Sequence, residues 1–160
     1  MKRKILFLLM ALTLSVASYA QFEQGKKYAS ASLSGLDLNF NDSENWKFDL
    51  NLKGGYMFEE SWMLTGELGY GYHKYEPNYF LLGAGVRYYI EQNGLFLGAG
   101  ANYVHRLYKD DFMPTIQLGY SYFISRTVTI EPELYYNQSL KDHSNYSGFG
   151  FRIGFGIYLD

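Results

Sequence analysis

The chain has 160 residues with 17 Tyr, 12 Phe, 17 Gly and 3 Pro, carries a formal net charge of −2, and contains no cysteine. Its length fits a single domain, and the missing cysteines exclude a disulfide framework and thiolate metal sites. The weakly acidic balance, with no basic stripe, gives nucleic-acid binding no electrostatic support.

The first 20 residues have the pattern of a cleavable signal peptide. Three basic residues at 2–4 precede an apolar run at 5–14, and Ser18-Tyr19-Ala20 supplies the small residues of a cleavage site before Gln21. The apolar run is shorter than the roughly 20 residues that a membrane-spanning helix needs. Removing residues 1–20 removes three positive charges and changes the net charge from −2 to −5. We therefore expect a mature domain at 21–160.

The mature chain alternates apolar and polar residues with a period of two, which indicates β-strands. The alternation recurs in eight segments whose lengths suit strands tilted across a bilayer. The predicted strands are residues 27–38, 46–58, 62–72, 79–90, 94–105, 114–124, 127–136 and 148–159. Because a bilayer leaves no backbone group unpaired, such strands predict an all-β fold, an eight-stranded antiparallel up-and-down transmembrane β-barrel.

The connections between these strands also alternate in length. The tight connections follow strands two, four and six, whereas the longer and more polar ones follow strands one, three, five and seven. The longer connections are residues 39–45, 73–78, 106–112 and 138–146. Short periplasmic turns and longer external loops are typical of outer-membrane barrels. We therefore expect both termini in the periplasm, and the four long loops as the surface for an extracellular partner.

The charged side chains of the strands share one face and balance in sign. They are Lys47, Asp49, Lys53, Glu67, Arg87, Glu131, Glu133 and Arg152. A soluble lipocalin-like barrel, the rival interpretation, would instead turn its apolar residues inward. Neutrality favours a narrow lumen, because an unpaired buried charge is costly. We expect an ionic network on the inner face.

The opposite face is apolar and ends in aromatic side chains, as the interface girdle of a membrane barrel does. The predicted lipid-interface aromatics are Trp46, Phe58, Trp62, Tyr70, Tyr72, Tyr88, Tyr122, Tyr136 and Phe155. This face should contact outer-membrane lipid.

The turn at 59–61 gives an estimate of the strand register. If Phe58 faces Trp62, then Lys53 lies directly opposite Glu67. A similar estimate across 138–146 brings Glu133 close to Arg152. We therefore expect ion pairs between neighbouring strands.

The stretch Gly54-Gly55-Tyr56-Met57-Phe58, the turn Glu59-Glu60-Ser61 and the strand from Trp62 to Tyr70 together resemble a known family. The chain is similar to the small outer-membrane β-barrel proteins common in Bacteroidota, of the OmpX/OmpA-barrel type, the outer membrane protein beta-barrel domain family. The resemblance implies a barrel in the bacterial outer membrane that meets the barrel-insertion machinery during biogenesis, and we expect this barrel to be a monomer. One departure concerns the last residues, Tyr158-Leu159-Asp160, because such barrels usually end in an aromatic residue.

An eight-stranded barrel is just wide enough for side chains to fill its interior. Bulky inward residues such as Arg87 and Tyr158 predict a filled lumen, and inward glycines on strands three to five would let them lie against the wall. The same glycines could instead line a narrow channel. A structural or surface-interaction role is therefore the first interpretation, and a narrow porin-like channel for ions or small solutes is the alternative.

The sequence offers few residues that could bind a metal or catalyse a reaction. His73, His105 and His143 lie on or beside the outer loops, but their spacing matches no metal motif. The run Asp142-His143-Ser144 invites comparison with lipid-modifying outer-membrane enzymes, yet the side chains of adjacent residues diverge too much for a relay. We expect no enzyme activity, catalytic residue, cofactor or metal, and a lipid-modifying enzyme is a distant third interpretation.

Overall fold

The computed structural model describes residues 22–34, 47–73, 78–90, 94–107, 109–141 and 147–160. The strands are β1 Lys27–Ser34, β2 Lys47–Glu59, β3 Trp62–His73, β4 Tyr79–Tyr89, β5 Leu95–Arg106, β6 Lys109–Tyr120, β7 Tyr122–Phe123, β8 Val128–Asn137 and β9 Gly148–Leu159. The predicted signal peptide lies outside the described residues. No described residue belongs to a helix long and apolar enough to cross a membrane.

The sheet is antiparallel throughout and closes on itself where β1 pairs with β9. Because β6 and β7 both pair with β8 in one register, they form a single barrel strand. The predicted eight-stranded antiparallel β-barrel is therefore confirmed.

The break between β6 and β7 has a local cause in the opposite strand. Gly119 pairs with Glu133 and Tyr122 with Ile130, so the register places Pro132 opposite Tyr120. Proline has no N–H to donate to the ladder. The next residue, Ser121, still donates its backbone N–H to the carbonyl of Gly94 on the other side, at 2.8 Å.

Side chains alternate between a buried inner face and an exposed outer face. On β4, Arg87 and Tyr89 are buried inside, whereas Leu82 is 52% exposed on the outside. Large apolar side chains are exposed all around the barrel. This inversion of the soluble pattern is what a surface facing lipid requires.

One predicted loop is wrong. The connection between β5 and β6 contains only residues 107 and 108, so most of the predicted loop 106–112 is strand. Asp110 and Asp111 interrupted the apolar alternation and concealed the start of β6. In the structure Asp110 lies opposite His105, and buried Asp111 accepts a hydrogen bond from the Ser139 hydroxyl.

The turn between β2 and β3 corrects a second expectation. Lys53 pairs with Glu67 as predicted, but a bulge follows Met57 and pairs Glu59 with Trp62. The expected pairing of Phe58 with Trp62 is therefore wrong, although the register above the bulge is confirmed. Ser61 in this turn has φ of 64°, a left-handed conformation that suits a tight hairpin.

We name the two ends of the barrel by what they carry. The terminal end has residues 22–26, the last residues of β2, β4 and β9 and the first residues of β3, β5 and β8. The loop end has the last residues of β1, β3, β5 and β8 and the first residues of β2, β4, β6 and β9. Of the predicted long loops, 39–45 lies outside the described residues, as do 74–77 and 142–146.

Candidate functional site in the barrel lumen

Six charged side chains meet inside the barrel, and all are buried. They come from five strands and include three cations and three carboxylates. The cluster, which we call the ionic layer, consists of Lys53, Glu67, Arg87, Glu131, Glu133 and Arg152. Each sits at an inward position of its strand, so the period-two alternation alone places them in one space.

Glu133 on β8 is the centre of the ionic layer. One of its oxygens accepts a hydrogen bond from Arg152 Nε at 2.8 Å. The other oxygen accepts from Arg87 Nη2 at 2.7 Å and from Lys53 Nζ at 3.3 Å. One carboxylate therefore contacts all three cations, which approach it from β2, β4 and β9.

Glu67 on β3 completes the side of the layer farthest from β8. It contacts Lys53 Nζ at 3.5 Å and receives hydrogen bonds from both terminal nitrogens of Arg152. Glu133 lies opposite Arg152 in the ladder of β8 and β9, as the register estimate predicted. Arg152 thus bridges a neighbouring strand and a strand across the lumen.

Glu131 is satisfied mainly by hydroxyl groups rather than by cations. Its only cation within the described residues is Arg87, whose Nη1 lies 3.1 Å from it. Its hydroxyl donors are Tyr28, Ser121 at 3.1 Å, Thr129 at 3.0 Å and Tyr158 at 3.2 Å. Several donors on one buried carboxylate offset the loss of its hydration.

The terminal end of the lumen is filled by apolar rings and methionines. This group, which we call the aromatic plug, consists of Phe22, Tyr28, Met57, Met63, Tyr89, Phe96 and Tyr158, with Phe123 packed against it. Phe22 stacks on Tyr89 with ring centroids 4.2 Å apart. The Arg87 guanidinium lies 4.2 Å from the Phe96 ring centroid, so the plug and the ionic layer are in direct contact.

The segment before β1 is held at this end by backbone hydrogen bonds. Ser61 donates its N–H to the carbonyl of Phe22 at 3.0 Å, and Gly25 donates to the carbonyl of Met57 at 2.8 Å. Phe22 is only 7% exposed as a result. The plug therefore includes a residue that precedes the first strand.

Towards the loop end, polar side chains lie over inward glycines. A Cβ added at Gly69 would overlap the Asn51 side chain, and one added at Gly83 would overlap Asn102. Asn51 and Asn102 are both buried. Because these glycines have no side chain, the amide groups of Asn51 and Asn102 can lie against the inner surface of the neighbouring strand.

Little empty space remains around the ionic layer. A cavity of about 10 Å³ lies between the charged groups and two serines of β1, Ser30 and Ser32. A cavity needs roughly 10–15 Å³ to hold one water molecule.

The eight predicted lumen residues do not all meet. Six form the ionic layer. Asp49 lies four residues from Lys53 towards the loop end, where its carboxylate accepts a hydrogen bond from the Tyr79 hydroxyl. At about 3.3 Å per residue, four residues separate these two positions by about 13 Å. Lys47 begins β2, and its side chain lies outside the described part of the chain.

The predicted lipid-interface aromatics, apart from Trp46, which lies outside the described residues, all occupy outward positions. Most are exposed, with Tyr72 at 57% and Phe155 at 57%. Tyr136 is half-buried because its ring packs on Phe149 at 4.7 Å. Their role at the lipid interface stays a prediction.

Sequence reasoning missed three hydroxyl donors and the first ring of the plug. Tyr28, Ser121 and Thr129 share the inward parity of their strands, so the alternation contained a signal for them. Phe22 precedes β1, and no periodicity could have placed it.

Nothing in the described parts of the chain forms a group of three or more His, Asp or Glu side chains able to hold a metal. His105 contacts Asp110 at the exposed loop end, with Nδ1 and Oδ1 2.5 Å apart. The run Asp142-His143-Ser144 lies outside the described residues, so its relay geometry is untested.

The closed barrel, its exposed apolar exterior and its charge-balanced ionic layer agree with a family match over nearly the whole sequence. The family model described as "Outer membrane protein beta-barrel domain" matches residues 6–160. The chain belongs to this family. It is therefore a protein of the bacterial outer membrane. The more specific assignment to Bacteroidota stays a prediction.

Solved structures show the same fold at low identity. The N-terminal β-barrel domain of Pseudomonas aeruginosa OprF is 14% identical, with a TM-score of 0.65, covering 85% of this chain and 98% of that one. The Yersinia pestis outer membrane protein Ail is 10% identical, with a TM-score of 0.57, covering 85% of this chain and 100% of that one. A de novo designed transmembrane β-barrel is 17% identical, with a TM-score of 0.54, covering 86% of this chain and 98% of that one. No curated protein matches the chain.

Proposed function

We propose that this chain is a closed, non-conducting barrel with a structural or surface-interaction role in the outer membrane. The observation that carries the proposal is the ionic layer, in which Arg152 joins Glu67 on β3 to Glu133 on β8 across the lumen. Arg87 likewise reaches from β4 to the carboxylates of β8. Eight-stranded barrels are narrow enough for such side chains to fill them.

Two further features support a closed lumen. The aromatic plug lies directly beneath the ionic layer, so an ion would have to displace both. The inward glycines, which are the basis of the narrow-channel alternative, lie under side chains such as Asn51 and Asn102. Neutral pairing also removes the one-signed ring of charge that favours conduction of one ion type.

The remaining parts of the proposal concern partners. We propose a monomer, delivered by the predicted signal peptide and inserted by the barrel-insertion machinery, with no enzyme activity. The loop end would meet any extracellular partner, because loops on a rigid scaffold commonly carry binding. Its surface there includes the exposed pair His105 and Asp110.

The experiment is ion conductance of residues 21–160, refolded and inserted in a planar lipid bilayer. We expect a correctly inserted protein, verified by protection of the strands from external protease, to produce no current steps. Reproducible small steps would contradict the closed lumen and favour the narrow channel.

A further inference from the structure

The outer wall of the barrel carries a groove of about 440 Å³. Its main side chains are Leu97, Ile116, Leu118, Leu134, Tyr136 and Phe149. The groove therefore crosses four strands, from β5 to β9, on the surface that faces the bilayer.

The strand register arranges these side chains in two rows. Leu97, Leu118 and Leu134 are consecutive partners across β5, β6 and β8. The second row, which lies nearer the loop end, contains Ile116, Tyr136 and Phe149. The groove is therefore aliphatic towards the terminal end and partly aromatic towards the loop end.

The rim of the groove at the loop end has both apolar and polar groups. Phe149 is 84% exposed and packs on the Tyr136 ring. The Tyr136 hydroxyl donates to Gln138 Oε1 at 2.9 Å, just beyond the end of β8. Tyrosines with an apolar ring and a bound hydroxyl are typical of the boundary between hydrocarbon and headgroups.

The groove lies over the ladder between β6 and β8, and a proline flanks the paired residues of each strand. Pro114 precedes the paired residues 115–119 on β6, and Pro132 precedes the paired residues 133–137 on β8. Neither proline can donate a backbone hydrogen bond. This wall is therefore built differently from the wall of β2 and β3, where pairing runs from Lys47 to Met57 without a break.

We propose that the groove holds one acyl chain of an outer-membrane lipid as a resident ligand. The membership of the chain in an outer-membrane family places this surface in hydrocarbon, and its aliphatic lining recognises a hydrocarbon chain. Its volume falls within the roughly 300–1,000 Å³ of small-molecule sites. The aromatic rim at the loop end would hold the upper part of the chain near the headgroup region. The inference does not depend on whether the lumen conducts.

The test uses residues 21–160 refolded in liposomes that contain a phosphatidylethanolamine with a photoreactive diazirine in its acyl chain. After illumination, mass spectrometry maps the labelled residues. We expect several-fold stronger labelling at the leucines of the groove, which are 43–53% exposed, than at Leu52 and Leu68 on the wall of β2 and β3, which are 49% and 47% exposed.

A matched pair of variants sharpens the test. Ile116→Trp should fill the groove and remove the excess labelling, whereas Leu68→Trp on the other wall should leave it unchanged. Circular dichroism verifies that each variant folds, and the labelling map of the parent protein decides the question without either. Equal labelling of the two walls would overturn the proposal. Crosslinks between two copies through the groove would also overturn it, because they would identify a protein interface.

Discussion

The ionic layer and the aromatic plug fill the same lumen by opposite means. In the ionic layer, few charged groups share many specific hydrogen bonds, and Glu133 alone contacts three cations. In the plug, rings such as Phe22 and Tyr89 pack by contact area, and side-chain hydrogen bonds are confined to the hydroxyl groups of its tyrosines. Loss of a charged member should therefore leave unpaired charge in the first region, whereas loss of a ring such as Phe22 in the second should cost only packing.

The two regions also differ in how they connect the barrel. The ionic layer joins strands across the lumen, as Arg152 does between β9 and Glu67 on β3. The plug ties the segment before β1 to the turn after β2 through the backbone of Phe22 and Ser61. The comparison can be tested by substitutions that change one region at a time.

The largest effect should follow Glu133→Gln. Glutamine has nearly the same shape as glutamate but carries no charge. The three cations Lys53, Arg87 and Arg152 would therefore lose the carboxylate that they share. Breaking a buried ion pair costs about 3–5 kcal/mol, and we expect a loss of that size in the free energy of unfolding. Urea titration of the refolded barrel in lipid measures it.

Glu60→Gln is the matched control, because Glu60 is exposed in the turn between β2 and β3. It should change the free energy of unfolding by less than about 0.5 kcal/mol. Equal stability of Glu133→Gln and Glu60→Gln would show that the ionic layer does not stabilise the barrel.

A smaller effect should follow Phe22→Ala in the plug. Truncating a buried phenylalanine costs about 3–5 kcal/mol in a closed core, and we expect about 2–3 kcal/mol here because residues 22–26 can relax into the space. The same urea titration measures it. Phe58→Ala, on the lipid-facing side of the same end, should cost clearly less. A larger loss for Phe22→Ala than for Glu133→Gln would reverse the ranking of the two regions.

The smallest effect should follow Tyr28→Phe, where the regions meet. The ring stays in the plug, but the hydroxyl that donates to Glu131 and accepts from Arg87 Nη1 at 3.2 Å is lost. We expect a loss of about 1–2 kcal/mol, because Glu131 keeps other donors. Tyr88→Phe, on the outer face, is the control for removing a tyrosine hydroxyl. If Tyr28→Phe and Tyr88→Phe changed the free energy of unfolding equally, Tyr28 would contribute to stability through packing alone.

Much of this arrangement follows from the sequence, because a strand has only two faces. The alternation placed Lys53, Glu67 and Glu133 on the inner face, and a tight turn fixed the opposition of Lys53 and Glu67. Contacts between neighbouring strands are therefore accessible from the period of two and the position of a turn.

Contacts across the lumen could not be obtained in the same way. The meeting of Arg87 with Glu133 depends on strand tilt and stagger, which no single hairpin determines. The start of β6 was missed because Asp110 and Asp111 resemble loop residues until partners such as Ser139 are known. Phe22 was missed because it precedes β1, where no alternation indicates the direction of a side chain.

The most direct test of the central claim compares single-channel recordings of the parent barrel with a variant whose ionic layer and plug are both depleted, Phe22→Ala combined with Arg87→Ala and Glu133→Ala. The account predicts a silent parent and, in the variant, small current steps from the barrel opened along its axis. Protease protection verifies insertion of both proteins. Current steps of equal size from both would contradict the account, because the ionic layer and the plug would then not be what closes the lumen.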